Sequence, residues 1–293
     1  MFKLAKPNTA PQRISDIPAE PAAAWNAKVE SCMGSSQAAL VTGDYRPNLP
    51  KPRILVHWGG MSIQALFFDV GNTLLFRDLD TVLRPLHEID LFPSRDLLNA
   101  VERSTKREFD SLVESHSTID HGFWWIYYSH LLNELGIANE SICADLVGRT
   151  RISANWSIIR PGTRETLLRL ARNYRLGVIS NADGKINEIL RRSGIEDCFE
   201  SITDSGLVGQ EKPHPAIFEA AVKSLGVPAS RSLYLGDVYC VDYLGATEFG
   251  MHAVLFDVPG AYQDKGLPRV ESLDEFEAQL SDFSEPTVHV ERS

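Results

Sequence analysis

The chain has 293 residues, 43% of them apolar, and a formal net charge of −10 with a pI near 5.3. This length can bury a large core and suits one α/β domain with an inserted or appended piece. The surplus of acid argues against a nucleic-acid partner, which surplus Lys and Arg would hold, but not against a small phosphorylated substrate, because one lysine and a divalent cation reverse the field locally.

Residues 1 to 60 are rich in Pro, Ala, Ser and Asn without sustained periodicity, and read as a disordered or loosely packed leader. They hold no apolar signal core, and Asp16, Glu20, Glu30 and Asp44 count against a transit peptide. The folded unit is expected to start at Met61, with the preceding segment dispensable or a misassigned extension. No run approaches the apolar length of a membrane span. Cys32, Cys143, Cys198 and Cys240 lie far apart without metal-ligand spacing, as free thiols of a reducing compartment do, so a cytoplasmic location is expected.

From Ile63 the pattern alternates strands and helices, which implies βαβ units and a parallel sheet. Ile63 to Asp69 is apolar on both faces, the mark of a buried central strand, and ends in a carboxylate followed at once by Gly71. The interval from Asp69 to Ser180 far exceeds an ordinary crossover and must hold a domain of its own. It carries helical patterns over 80 to 90, 95 to 115, 123 to 135 and 140 to 150, with Gly136 placed to end the third. His121-Gly-Phe-Trp-Trp-Ile-Tyr-Tyr-Ser-His130 is its densest aromatic cluster, read first as helix packing with the hinge to the rest of the chain and second as a substrate pocket. Further strands are expected over Leu176 to Ser180, Ser201 to Asp204, Leu233 to Gly236 and Ala253 to Phe256. Pro215 to Gly226 reads as a helix with proline in its first turn, Phe218, Ala221, Val222 and Leu225 on one face, and a terminating glycine.

Ligands of open α/β sheets bind at the carboxyl ends of the strands, where Asp69, Asp237 and Asp242 would converge. Ser180 and Asn181 end another strand, and Lys212-Pro213 precedes a helix. In the order Asp, Ser, Lys, then Gly-Asp with a second Asp, the chain resembles the haloacid dehalogenase (HAD) superfamily of phosphatases and related hydrolases over roughly residues 63 to 280. The resemblance implies a Rossmann-like parallel sheet with an inserted all-helical cap. Its boundaries fall at 61–78 and 161–280 for the catalytic core, 79–160 for the cap and 281–293 for a tail.

It also assigns roles. Asp69 becomes the nucleophile that attacks phosphorus in line and forms an aspartyl-phosphate. Mg2+ is held by Asp69, the Gly71 carbonyl and Asp237, with Asp242 acting directly or through water. Lys212 neutralises Asp69 and the transferred group, while Ser180 and the Asn181 amide donate hydrogen bonds to a phosphoryl oxygen of a small phosphorylated metabolite. Two plainer readings stand beside these: Asp242 as N-cap of a helix over Tyr243 to Gly250, and Thr73 as a residue that fixes the turn after the nucleophile.

One departure limits the analogy. The family's phosphatases usually carry a second Asp where this chain has Gly71, and loss of a general acid or base costs about 10² to 10⁴ in rate. Either the leaving group departs unaided, or Asp78, Asp80 or a cap histidine (His116, His121) substitutes, or the protein turns over poorly and serves as a phosphate- and magnesium-binding regulator. Cleavage at carbon by the same Asp, as in the dehalogenases, is the enzymatic alternative, against which the retention of both Asp237 and Asp242 speaks.

Overall fold

The computed structural model describes residues 63 to 116 and 122 to 284. The expected leader and its start at Met61, Cys32, His121 and the His116 side chain lie outside the described residues.

Ala65–Phe68 (β1) is four apolar residues buried on both faces, which is possible only with strands on either side and helices above and below. It pairs in parallel with Arg175–Ser180 (β4) and Ser232–Gly236 (β6), so that Leu66 lies level with both Leu176 and Leu233. Ser201–Asp204 (β5), His252–Phe256 (β7) and Arg269–Val270 (β8) complete a parallel sheet in the order β5-β4-β1-β6-β7-β8. The two-residue period of the strands divides the core. Leu66 and Phe68 pack with Leu167, Ile189 and Phe276 on one face, Ala65 and Phe67 with Ile217, Phe218 and Ala221 on the other. The expected Rossmann-like parallel sheet is the observed one.

Between β1 and β4 the chain leaves the sheet through Leu75–Arg77 (β2) and returns through Trp156–Ile159 (β3), which pair antiparallel. This pair, like β8, escapes the sequence pattern because each strand is too short to show alternation. The intervening helices are Leu79–Val82 (α1), Arg84–His87 (α2), Arg95–His116 (α3), Phe123–Glu134 (α4) and Glu140–Thr150 (α5). The helix expected over 80 to 90 is broken in two, since Pro85 has no N–H to continue the first segment and starts the second instead. Gly136 ends α4 as expected, with φ of +70°. Val82, Leu86, Tyr127, Tyr128, Leu131 and Leu146 form a core belonging to these helices. The central Tyr pair of the aromatic cluster thus packs inside them.

The remaining helices, Thr163–Leu170 (α6), Ile186–Arg192 (α7), Ser205–Val208 (α8), Pro215–Leu225 (α9), Leu244–Phe249 (α10) and Leu273–Ser284 (α11), cover the sheet. In α9 proline occupies the first turn and Gly226 the left-handed cap, as its sequence predicts. Asp242 does not cap a helix over Tyr243 to Gly250. It lies inside a π-helical turn, Tyr239–Tyr243, that precedes α10. No helix among the described residues is long and apolar enough to cross a membrane.

Candidate active site

The carboxyl end of β1 is fixed by its neighbours. The Asp69 N–H donates to the Leu235 carbonyl at 2.8 Å, and the Val70 carbonyl then accepts from Thr73, Leu74 and Leu75 at 3.3, 3.0 and 2.8 Å, closing the turn after Asp69. Asn72 adopts φ of +54°, a conformation Asn tolerates, and its amide donates to Asp237 Oδ2 at 3.3 Å. At the end of β6, Gly236 has no substitute, because a Cβ there would lie 2.5 Å from the Asp242 carboxyl carbon. Asp242 closes the π turn on Val238, accepting its N–H at 2.9 Å while donating its own to the Val238 carbonyl at 2.8 Å. The loop after β4 is held by the Asp204 carboxylate, which accepts from the Gly184 and Ile186 N–H groups at 3.0 and 3.1 Å.

Oxygens of Asp69, Asp237 and Asp242, all buried, lie within 4.8 Å of one another. Two buried lysines answer that charge. Lys212 Nζ contacts Asp69 Oδ1 at 2.5 Å, Asp242 Oδ1 at 2.9 Å and the Tyr234 hydroxyl at 2.7 Å. Lys106, from the middle of α3 and fully buried, sets its ammonium 2.9 Å from Asp237 Oδ2 and 3.1 Å from Glu102 Oε1, as ion pairs and not as well-directed hydrogen bonds. The single Tyr234 hydroxyl proton has two acceptors in reach, Asp242 Oδ1 at 3.0 Å and the Ile179 carbonyl at 3.2 Å.

Burial pushes the Asp69 carboxyl up to about 7; Lys212 opposes the rise, and Asp242 and Asp237 add to it. Burial likewise raises Asp237 against the pull of Lys106. Both lysines stand above their ordinary range, because Asp242 and Asp69 around Lys212, and Asp237 and Glu102 around Lys106, outweigh the burial that would lower them.

These shifts fix the sign of a pH effect. A carboxyl whose folded value exceeds its unfolded one keeps a proton that the unfolded chain has released, so its contribution to stability is lost as pH rises through the interval. For Asp69 that interval runs from 3.8 to about 7, and Asp110, raised by burial to about 6, acts in the same direction. In the metal-free protein the melting temperature is expected to fall as pH is raised from about 4 to about 7, with a shallower slope in Asp69→Asn. Melting curves in chelator-treated buffers check this; a flat or rising profile would contradict it.

The three carboxylates open onto a cavity of about 460 Å³. Asp69, Gly71, Ser180, Asn181, Lys212, Asp237 and Asp242, all singled out from the sequence, line it together. The Asn181 amide also donates to the Lys212 carbonyl at 3.0 Å and accepts the Lys212 N–H at 2.7 Å, clamping the lysine's backbone. Asp78 caps α1 through the Thr81 N–H and hydroxyl, and neither it nor Asp80 lines the cavity. Thr73 is buried beside the turn, which the Val70 carbonyl closes.

Lys106, Tyr234, Asn72 and Trp156 were not legible as site residues. Trp156 covers Gly71: a Cβ at that glycine would lie 3.2 Å from the indole Cζ3. The indole is tethered, donating through Nε1 to the Thr150 carbonyl at 2.8 Å.

A carboxylate at the end of the central strand, a buried lysine on it and a strand-end hydroxyl meet in one cavity that the helical insertion also lines. Residues 63–250 match the haloacid dehalogenase-like hydrolase family, and the chain belongs to that family. A glyceraldehyde 3-phosphate phosphatase of Methanothermobacter thermautotrophicus is 31% identical over 198 residues, 66% of this chain and 85% of that protein. Its counterpart from Pyrococcus furiosus is 35% identical over 220 residues, 72% and 88% of the two chains. The fold is shared with the magnesium-bound HAD-hydrolase YfnB of Bacillus subtilis, with a TM-score of 0.54 and 19% identity over 75% of this chain and 99% of that one.

Proposed function

We propose that the protein is a magnesium-dependent phosphatase that acts on a small phosphorylated metabolite through transfer of the phosphoryl group to Asp69. The observation that carries this reading is the Asp69–Lys212 contact on the cavity wall, which holds one carboxylate oxygen on an ammonium and leaves Oδ2 without a protein partner among the described residues. That oxygen attacks phosphorus, the P–O bond to the leaving group breaks, and the leaving group takes its proton from solvent. Water then attacks the phosphorus and releases the Asp69 carboxylate. Lys212 stabilises the charge on the transferred oxygens and the Ser180 hydroxyl donates to one of them.

The residues present fit a magnesium ion. The donors are hard oxygens in a tight group, and Asp237 Oδ1 accepts no hydrogen bond among the described residues. Asp69, Asp237 and the Gly71 carbonyl would hold the ion, while Asp242, whose two oxygens serve Lys212, Tyr234 and Val238, would act through water. The ion would supply positive charge to the phosphoryl oxygens. Relatives named glyceraldehyde 3-phosphate phosphatases support a small phosphorylated substrate. Cys143, Cys198 and Cys240, buried and unpaired, support a reducing compartment such as the cytoplasm.

The test is phosphate release from acetyl phosphate and glyceraldehyde 3-phosphate with and without magnesium, with samples quenched during turnover and reduced with borohydride. An aspartyl-phosphate would be converted to homoserine at position 69, read by peptide mass; turnover without that conversion would refute the covalent route.

A further inference from the structure

The same cavity is lined by a chain of aromatic rings. Phe109 meets Phe123 edge to face with centroids 5.4 Å apart, Phe123 meets Trp124 at 5.0 Å, and Trp124 meets Trp156 at 5.7 Å. All four line the cavity that holds Asp69 and Lys212. They come from three separate elements, α3, α4 and β3, so the wall is assembled by the fold and is not a stripe on one helix. Its last ring lies over Gly71, with Cζ3 3.2 Å from where a Cβ at that position would stand.

Two consequences meet at this point. A flat, apolar group attached to the phosphate meets aromatic side chains along the wall, Trp124 among them with the Arg77 guanidinium 4.6 Å from its ring centroid, and aromatic pairs gain beyond their buried area. A leaving group bonded to phosphorus finds no carboxylic acid at position 71, and indole is not a general acid. An alkoxide is too basic to depart readily without a proton, whereas an aryloxide delocalises its charge into the ring. We infer that the substrate is an aryl phosphate monoester, its ring seated against Trp124 and Trp156 and its phosphoryl group on Asp69 and Lys212. This rests on the phosphatase reading above and narrows its substrate class. In the transfer the bond from Asp69 to phosphorus forms as the aryl C–O–P ester opens at P–O; the electron pair leaves with the aryl oxygen, which is protonated from solvent.

The experiment has a binding arm and a turnover arm, both on the full chain with magnesium. Calorimetry compares phenylphosphonate with methylphosphonate, neither of which can be hydrolysed, in wild type and Trp124→Leu. Phenylphosphonate should bind at least about tenfold more tightly in wild type, and the ratio should fall towards one in the variant. Equal affinities in wild type, or a ratio that the substitution leaves intact, would overturn the inference whatever the enzyme turns over.

The second arm compares kcat/KM for phenyl phosphate, for hexafluoroisopropyl phosphate, whose leaving group is acidic but not aromatic, and for glyceraldehyde 3-phosphate. The expected order places phenyl phosphate first and glyceraldehyde 3-phosphate last. An aliphatic substrate equal to phenyl phosphate would again overturn the aryl assignment. Selective binding of phenylphosphonate with no phosphate release from any ester or from acetyl phosphate would instead refute the phosphatase reading and leave the aromatic recognition standing.

Discussion

Replacing Asp69 by Asn is expected to abolish magnesium-dependent phosphate release, by on the order of 10⁴-fold or more, while leaving the protein folded. The amide nitrogen and oxygen of Asn occupy the volume of the carboxylate but cannot form the covalent phosphoryl intermediate. Lys212 keeps Asp242 at 2.9 Å and Tyr234 at 2.7 Å, so the buried ammonium is not orphaned. The substitution also removes one of three carboxylates whose oxygens crowd within 4.8 Å, so above neutral pH the metal-free variant should melt no lower than wild type. Loss of rate with retained or increased stability separates chemistry from folding. Turnover within tenfold of wild type would show that Asp69 is not the nucleophile. If wild type itself releases no phosphate from any ester yet binds magnesium and phosphate, the chain is a binding protein built on a phosphatase site.

The second large effect concerns Lys106. Removing one partner of a buried ion pair leaves an uncompensated charge and costs about 3 to 5 kcal/mol. In Lys106→Met the loss falls chiefly on Asp237, since Glu102 keeps Arg77 at 3.9 Å whereas Asp237 retains only the neutral Asn72 amide at 3.3 Å among the described residues. Metal-free Lys106→Met should therefore unfold at markedly lower denaturant than wild type. Magnesium should restore more stability to the variant than to wild type, because the cation meets a more negative cluster and binds the folded state. Denaturant titrations of both proteins with and without magnesium read this directly. A variant within about 1 kcal/mol of wild type, or one with an unchanged magnesium increment, would show that Lys106 does not neutralise the site.

The parallel strands were legible because a central strand buried on both faces is a continuous apolar run, and the polar residue that interrupts it marks the carboxyl rim. Asp69, Ser180 and Asp237 are each found in that way. Lys106 is hidden by its surroundings: it sits in a helix whose sequence places Glu102, Arg103, Arg107 and Glu108 around it, and a buried ammonium there cannot be told from solvated ones. Tyr234 looks like strand core, and its buried ring is core; the hydroxyl at its tip is what reaches Lys212 and Asp242. Trp156 carries no motif and acquires meaning only from its position over Gly71. Asp242 at the head of an apolar run has the pattern of a helix cap, and the π turn that turns its carboxylate back to Val238 has no recognisable signature.

Helix α3 is fastened along one face. Arg103 donates to the Pro259 carbonyl at 3.1 Å, Arg107 to the Ala261 carbonyl at 3.3 Å, Lys106 pairs with Asp237, and Asp110 accepts the Cys240 N–H at 3.2 Å. Spaced by three or four residues, these contacts share a single stripe of the helix. Lifting the helix breaks them together and carries the Lys106 ammonium away from the carboxylates. The position of the helical insertion and the electric potential at the carboxylate rim are in this sense one variable: a cation settling among the carboxylates would loosen the helix by the same free energy that an outward tilt of the helix would contribute to holding the cation.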